Sequence, residues 1–141
     1  MGYRIYTDGG FSIPRNAGGW ACIVVLNGKE LRGYRINGVA INETSNRMEL
    51  TAFIQGLKYA QSIGSCKIYT DSQYTVRGYN EWMKNWKKKG WKNSSKKEIK
   101  NKDLWKIIDS LKKSNIKVEW VKGHNGDKFN ELVDSLTRDY Q

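Results

Sequence analysis

The chain predicts an α/β fold: a five-stranded mixed sheet flanked by helices, with strands 1–3 antiparallel and strands 1, 4 and 5 parallel. Three observations predict it. Tyr3–Asp8 and Cys66–Asp71 are β-branched, aromatic segments that close on the same Tyr-Thr-Asp ending, so they read as two strands finishing at one level. Between them lies a helix-length segment with apolar residues at three- and four-residue spacing, the crossover that a parallel strand pair needs. Ahead of that segment, Asn27-Gly28 is a two-residue hairpin signal between strand-like runs.

Strand one, Tyr3–Asp8, is followed by a predicted loop, Gly9–Gly19, that holds the only proline, Pro14. Strand two covers Trp20–Leu26, and a more polar strand three covers Glu30–Ile36. The crossover helix runs from about Ser45 to Ser62, with Leu50, Phe53, Ile54, Leu57 and Ala60 on one stripe and Gly64 as its stop. Strand four is Cys66–Thr70. Short helices follow at Gln73–Tyr79 and at Glu81–Lys89, the second stopped by Gly90. A longer one at Lys102–Lys113 places Leu104, Ile107, Ile108 and Leu111 on one face. Ile116–Val121 is strand five, Gly123–Asp127 a loop, and Lys128–Tyr140 the last helix, burying Phe129, Leu132, Val133 and Leu136.

A length of 141 residues fits a single domain, 1–141. No run of eighteen apolar residues is present, so neither a membrane span nor a signal peptide is inferred. Cys22 and Cys66 sit in apolar strand segments without metal-type spacing; they read as core fillers in a reducing, cytoplasmic compartment. Nothing demands an obligate protein partner or an oligomer, so a monomer is expected. The net charge is +11, which suggests a polyanionic partner, nucleic acid ahead of an acidic membrane surface. The excess is local: Trp82–Lys102 holds nine lysines and one glutamate, a net of +8 in 21 residues.

If strands one and four are neighbours, Asp8 and Asp71 emerge about 4.8 Å apart at their tips. Carboxylates that close repel unless a cation separates them or one is protonated. Glu49, in the first turn of the crossover helix, projects toward the same place, although Asn46 three residues earlier also makes it a capping-box glutamate. Asp134 lies at the edge of the last helix's apolar stripe, where a solvated carboxylate is the plainer reading. Four acids without paired histidines or metal-spaced cysteines suit hard oxygen-ligated cations such as Mg²⁺, or Mn²⁺ in its place, rather than zinc. Beside a basic surface they point to metal-assisted phosphodiester hydrolysis. His124, the only histidine, lies in a glycine-flanked loop; it reads either as a proton shuttle or as an exposed loop residue.

The basic stretch, a handle at about 81–100, interleaves Trp82, Trp86 and Trp91 with Lys84, Lys87, Lys88, Lys89, Lys92, Lys96 and Lys97. Lysines neutralise backbone phosphates, and tryptophans pack on sugars or bases. Some of these tryptophans are also expected to anchor the core.

Five ordered motifs resemble type 1 ribonuclease H: Tyr6-Thr7-Asp8-Gly9, Asn46-Arg47-Met48-Glu49-Leu50, Thr70-Asp71-Ser72-Gln73-Tyr74, Trp120-Val121-Lys122-Gly123-His124, and Asn130-Glu131 through Asp134. The resemblance spans essentially the whole chain, and Asn85–Lys92 is similar to the basic protrusion of the bacterial form. It implies a ribonuclease H-like fold and endonucleolytic cleavage of the RNA strand of RNA–DNA hybrids, leaving 5′-phosphate and 3′-hydroxyl ends. It also implies that Asp8, Glu49, Asp71 and Asp134 hold two Mg²⁺ ions, with His124 as the loop histidine. By the same resemblance Asn46 and Gln73 contact the hybrid's minor groove beside 2′-hydroxyls, and Thr44 holds a phosphate of the DNA strand.

The loop after Asp8 departs from the family's usual Asn-Pro-Gly turn; Asn16 stands as the replacement contact there. Ser45 stands where a second asparagine is common. With strand one beginning at Tyr3, no N-terminal hybrid-binding domain is expected, which leaves the handle with most non-specific affinity. A free-standing protein is expected over a domain cut from a reverse transcriptase. The rival readings are a non-catalytic module binding hybrid or duplex RNA, and a DNA transposase- or integrase-like nuclease core on the same fold.

Overall fold

The computed structural model describes residues 2–123 and 126–138. The strands β1 (Tyr3–Ser12), β2 (Ala17–Leu26), β3 (Lys29–Glu30), β4 (Ile36–Ile41), β5 (Cys66–Thr70) and β6 (Ile116–Trp120) form one sheet. Its order is β3-β2-β1-β5-β6, with β4 also paired to β2. β1 is antiparallel to β2 and parallel to β5, and β5 is parallel to β6. The helices are α1 (Ser45–Ile63), α2 (Gln73–Arg77), α3 (Met83–Lys88), α4 (Lys102–Leu111) and α5 (Lys128–Leu136).

Alternation along β1 serves two cores, because successive strand side chains point to opposite faces. Ile5 joins Leu50, Phe53 and Leu57 of α1 with Trp105 and Ile108 of α4. Tyr6 joins Ile23, Val25 and Val133 on the α5 side. The predicted stripe of α1 is buried throughout, and both cysteines are buried free thiols. Thr44 caps α1 by accepting from the Arg47 backbone N–H at 3.2 Å, and Gly64 closes it at φ 88°. The capping box expected from Asn46 and Glu49 is therefore not the cap; Asn46 already lies inside the helix.

The sheet has six strands where five were expected, because the third breaks in two. The predicted strand Glu30–Ile36 is interrupted by a 3₁₀ turn at Arg32–Tyr34, and pairing resumes in β4, which runs on to Ile41. A two-pronged Arg35–Glu30 ion pair at 2.9 and 2.5 Å closes this excursion. The predicted loop Gly9–Gly19 is mostly strand: β1 continues to Ser12 and β2 starts at Ala17, leaving a four-residue turn. Gly9, Gly18 and Gly19 are close-packing positions there; a side chain on Gly18 would meet the Gly10 carbonyl at 2.3 Å.

The two short helices expected at Gln73–Tyr79 and Glu81–Lys89 form one continuous helical rod, α2 and α3 joined by a π-helical segment, Gly78–Trp82. Trp105 is the largest fully buried side chain and packs where a Gly78 side chain would stand, 2.1 Å from its ring. In α4, Trp105 takes the buried place expected for Ile107, which is exposed. α5 ends at Leu136, short of the expected Tyr140, whose neighbourhood lies outside the described residues. Among the described residues no helix is long and apolar enough to cross a membrane.

Candidate active site

The middle of β1, the end of β5 and the first turn of α1 converge on one spot. Parallel register sets Tyr6 beside Tyr69, so Asp8 and Asp71, two residues further on, are neighbours where β5 ends, while β1 itself runs on to Ser12 against β2. Gly9 then lets α1 close in, because a side chain there would stand 2.3 Å from the Met48 carbonyl carbon. That approach brings Glu49 over Asp8 and Asp71. Ligand oxygens of Asp8, Glu49 and Asp71 all lie within 4.8 Å of one another. The indole N–H of Trp120 donates to the Asp71 carbonyl at 3.1 Å, and the Val121 N–H donates to the Thr70 carbonyl at 2.9 Å. A side chain on Gly123 would press within 2.9 Å of Asp71 Oδ2, so the following loop starts against this carboxylate.

Asp134 comes from α5, which packs on β1, and lies within hydrogen-bonding reach of Asp8. It stands outside the tight trio, and its Oδ2 accepts from the Arg138 guanidinium. His124 lies outside the described residues.

The cluster is electrostatically tense. Asp8 is 4% exposed; burial first, then Asp71 and Asp134, push its carboxyl up to about 9. Burial likewise raises Glu49 well above the ordinary carboxylate range, helped by Asp8 and Asp71 and opposed by the Gly9 N–H. Glu49 Oε1 is buried without a hydrogen-bond partner among the described residues. An unpartnered buried acceptor costs about 1–3 kcal/mol, more when charged. Three or four carboxylates around an orphaned oxygen are an all-oxygen donor set that fits a hard divalent cation.

The residues expected to meet substrate are distributed around this cluster. Thr44, Asn46 and Gln73 are exposed at the N-terminal ends of α1 and α2. The Thr44 hydroxyl already caps α1. Asn16 is exposed, and its side chain also braces the turn: its amide donates to Asn42 Oδ1 at 2.7 Å and its oxygen accepts from the Asn42 N–H at 3.1 Å. Trp82 and Trp86 are half-buried in an aromatic chain with Tyr74 and Trp105, ring centroids 5.3–6.1 Å apart. They anchor the handle. Lys84, Lys87, Lys88 and Lys89 are all exposed, and Lys87 also pairs with Asp109 at 3.2 Å. Trp120 was missed as a site-side residue; its place at the end of β6, beside the Asp71 strand, was the available signal.

Carboxylates gathered from mid-β1, the end of β5 and the first turn of α1, with a cationic arm on the same molecule, define a metal-dependent nuclease. A family model described as RNase H matches residues 2–141, and the chain belongs to that family. It is 47% identical over 137 residues to "Ribonuclease H" of Wolbachia sp. subsp. Drosophila simulans, covering 95% of this chain and 91% of that protein. Against "Ribonuclease H" of Legionella pneumophila (strain Corby) the identity is 44%, covering 96% and 94%. Among solved structures, the RNase H domain of PFV superposes with a TM-score of 0.81 at 26% identity, covering 97% of this chain and 93% of that one. LC9-RNase H1, described as a type 1 RNase H with the type 2 active-site motif, gives 0.77 at 27%, covering 96% and 69%.

Proposed function

We propose that the protein is an endoribonuclease that hydrolyses the RNA strand of RNA–DNA hybrids with two Mg²⁺ ions, leaving 5′-phosphate and 3′-hydroxyl ends. The observation that carries this reading is the convergence of Asp8, Glu49 and Asp71 oxygens within 4.8 Å around a partnerless Glu49 Oε1. Asp8, Glu49, Asp71 and Asp134 would hold the metal, with Asp134 shared between Asp8 and Arg138. Bound divalent ions supply activation of water and stabilisation of the leaving oxygen in phosphodiester hydrolysis. Mn²⁺ would fill the same donor set.

The chain's own part is to hold the carboxylates and seat the hybrid. Gly9 fixes the β1–α1 approach, and Trp120 fixes the β5 tip. Asn46 and Gln73 present amides to the minor groove, where 2′-hydroxyls distinguish RNA from DNA. The exposed handle lysines take backbone phosphates. His124, one residue beyond the glycine pressed on Asp71, moves a proton to or from the reacting oxygens. The same reading makes the protein a monomer acting in the cytoplasm, consistent with two buried free thiols.

The deciding experiment is cleavage of a labelled RNA–DNA hybrid in Mg²⁺, beside single-stranded RNA, duplex RNA and duplex DNA. Cutting confined to the hybrid's RNA strand, and lost with EDTA, is expected. Tight hybrid binding without cutting would make the molecule a binding module. Replacement of His124 by Ala is expected to lower kcat with hybrid affinity unchanged; loss of binding instead would remove the shuttle role.

A further inference from the structure

The α5 side of the sheet carries a row of cations that the reading above leaves unused. Register sets Arg4 of β1, Lys67 of β5 and Lys117 of β6 side by side on three neighbouring strands. Alternation points them to the face of Tyr6 and Tyr69, away from Ile5, Ile68, Ile116 and Val118 of the larger core. On that face α5 packs on β1 and β2, and the three cations stand exposed. Neighbouring strands lie about 4.8 Å apart, and like charges set directly opposite one another repel. Lys67 is answered by Glu119 at 3.4 Å, a pair about half exposed on both sides. Among the described residues Arg4 and Lys117 make no ion pair. Asp127, which attracts Arg4 at longer range, is committed to capping α5.

The row lines an open cleft of about 460 Å³ with Tyr69 and Asn115. Tyr69 stacks on Tyr6 with ring centroids 5.1 Å apart, and the Arg4 guanidinium lies over the Tyr69 ring at 5.7 Å. Arg4 is thereby held in place before any ligand arrives. Arg4 and Asp8 are four residues apart on β1, so they share a face, about 13 Å apart at the rise of a strand. Lys67 stands as far before Asp71 along β5.

We propose that Arg4, Lys67 and Lys117 form a second nucleic-acid site, which takes the single-stranded continuation of the hybrid's RNA strand. This rests on the RNA–DNA hybrid reading of the carboxylates. Three aligned cations repel one another in the free protein, and a run of phosphates across them removes that repulsion. An acidic peptide would answer the same charges. The RNA continuation, however, is tethered to a strand already held a short distance away, and so arrives at high effective concentration.

The test uses the full chain, a minimal blunt hybrid that is still cut, and the same hybrid with its RNA strand extended single-stranded at one end or the other. Kd is measured by fluorescence anisotropy in Ca²⁺ at several salt concentrations, and KM and kcat in Mg²⁺. One of the two extensions is expected to tighten Kd and lower KM about tenfold, with kcat nearly unchanged. It should steepen the salt slope by about 2, the value for three single-strand phosphate contacts. In the Lys67→Ala/Lys117→Ala double variant the steepening falls to about 0.7 and most of the gain is lost, while the blunt hybrid is bound and cut as before. Lys67→Arg/Lys117→Arg retains the gain. No gain from either extension, or a gain that survives the double alanine variant, would overturn the proposal. So would a glutamate-rich peptide that binds the wild type and not the double variant while neither extension matters. Wild-type protein that binds these hybrids without cutting them would sink the hydrolase reading, and the Kd series would still judge the row. Wild-type protein that binds no hybrid overturns both.

Discussion

The Trp120 indole N–H and the Asp71 carbonyl are joined by a 3.1 Å hydrogen bond, so the tip of β6 braces the tip of β5 at one of the three converging carboxylates. Trp120 is 45% exposed, so it contributes little to the core, and its polar atom is the part in use. Trp120→Phe keeps a ring and removes the donor. The Mg²⁺ concentration for half-maximal cleavage should rise about fivefold, the worth of roughly one hydrogen bond, with KM for the hybrid little changed. An unaltered metal dependence would show that the bond does not position Asp71.

Asp8→Asn should abolish turnover and yet stabilise the metal-free protein. The Asp8 carboxyl is raised from its ordinary value to about 9. Between those two values the folded state binds more protons than the unfolded state, so stability falls as pH rises across that window. Without metal the wild type should therefore lose stability from about pH 4 to pH 9, and the asparagine variant should lose less. A gain of about 1–3 kcal/mol at pH 8 is expected for the variant. Chemical denaturation in EDTA at pH 5 and pH 8 measures it; an equal slope in both proteins would refute the tense-cluster account.

Added Mg²⁺ should reverse that trend. A ligand that binds only the folded state stabilises by mass action, about 2.7 kcal/mol at a hundred times Kd. Thermal unfolding at pH 8 should shift upward with Mg²⁺ in the wild type and much less in Asp8→Asn. Identical shifts would mean that the cation binds elsewhere.

Among the handle lysines, Lys88 and Lys89 should matter more than Lys87, which is engaged with Asp109. Each Lys→Ala at a true phosphate contact lowers the salt slope of binding by about one. The expected order in Kd is Lys88 and Lys89 above Lys87, read at two salt concentrations. A uniform loss would show that the Asp109 pair opens when the hybrid binds.

Gly78→Ala should damage the handle without touching the carboxylates. The new methyl would stand 2.1 Å from the Trp105 ring, in the best-buried part of the core. Overpacking of this kind costs about 1–3 kcal/mol, occasionally more. The outcome to look for is a lower Tm, with weaker hybrid affinity at temperatures where the protein remains folded.

Much of this was legible in the chain because it depends on local pattern. Repeated Tyr-Thr-Asp endings with a crossover between them dictate that Asp8 and Asp71 meet, and the α1 stripe from Leu50 to Ala60 could face only one way. Glycines misled where long-range contact decides their use: Gly9 and Gly18 read as loop, but they are places where backbone meets backbone. The break at Arg32–Tyr34 depends on an ion pair five residues apart, which no periodicity shows. The Asn16–Asn42 bond could not be read in the chain, because the two residues are 26 apart. Trp105 defeated the helix pattern because a bulky ring needs the space vacated by a distant glycine.

The π segment at Gly78–Trp82 sets an angular phase between the catalytic end of the rod and its lysines. A π turn carries one residue more than an α-helix needs, and each helical residue advances the direction of a side chain by about 100°. Were the same five residues wound as plain α-helix, Lys88 and Lys89 would turn by roughly a quarter of a circle relative to α2. The arm would keep its charge and its length and point it at the wrong place.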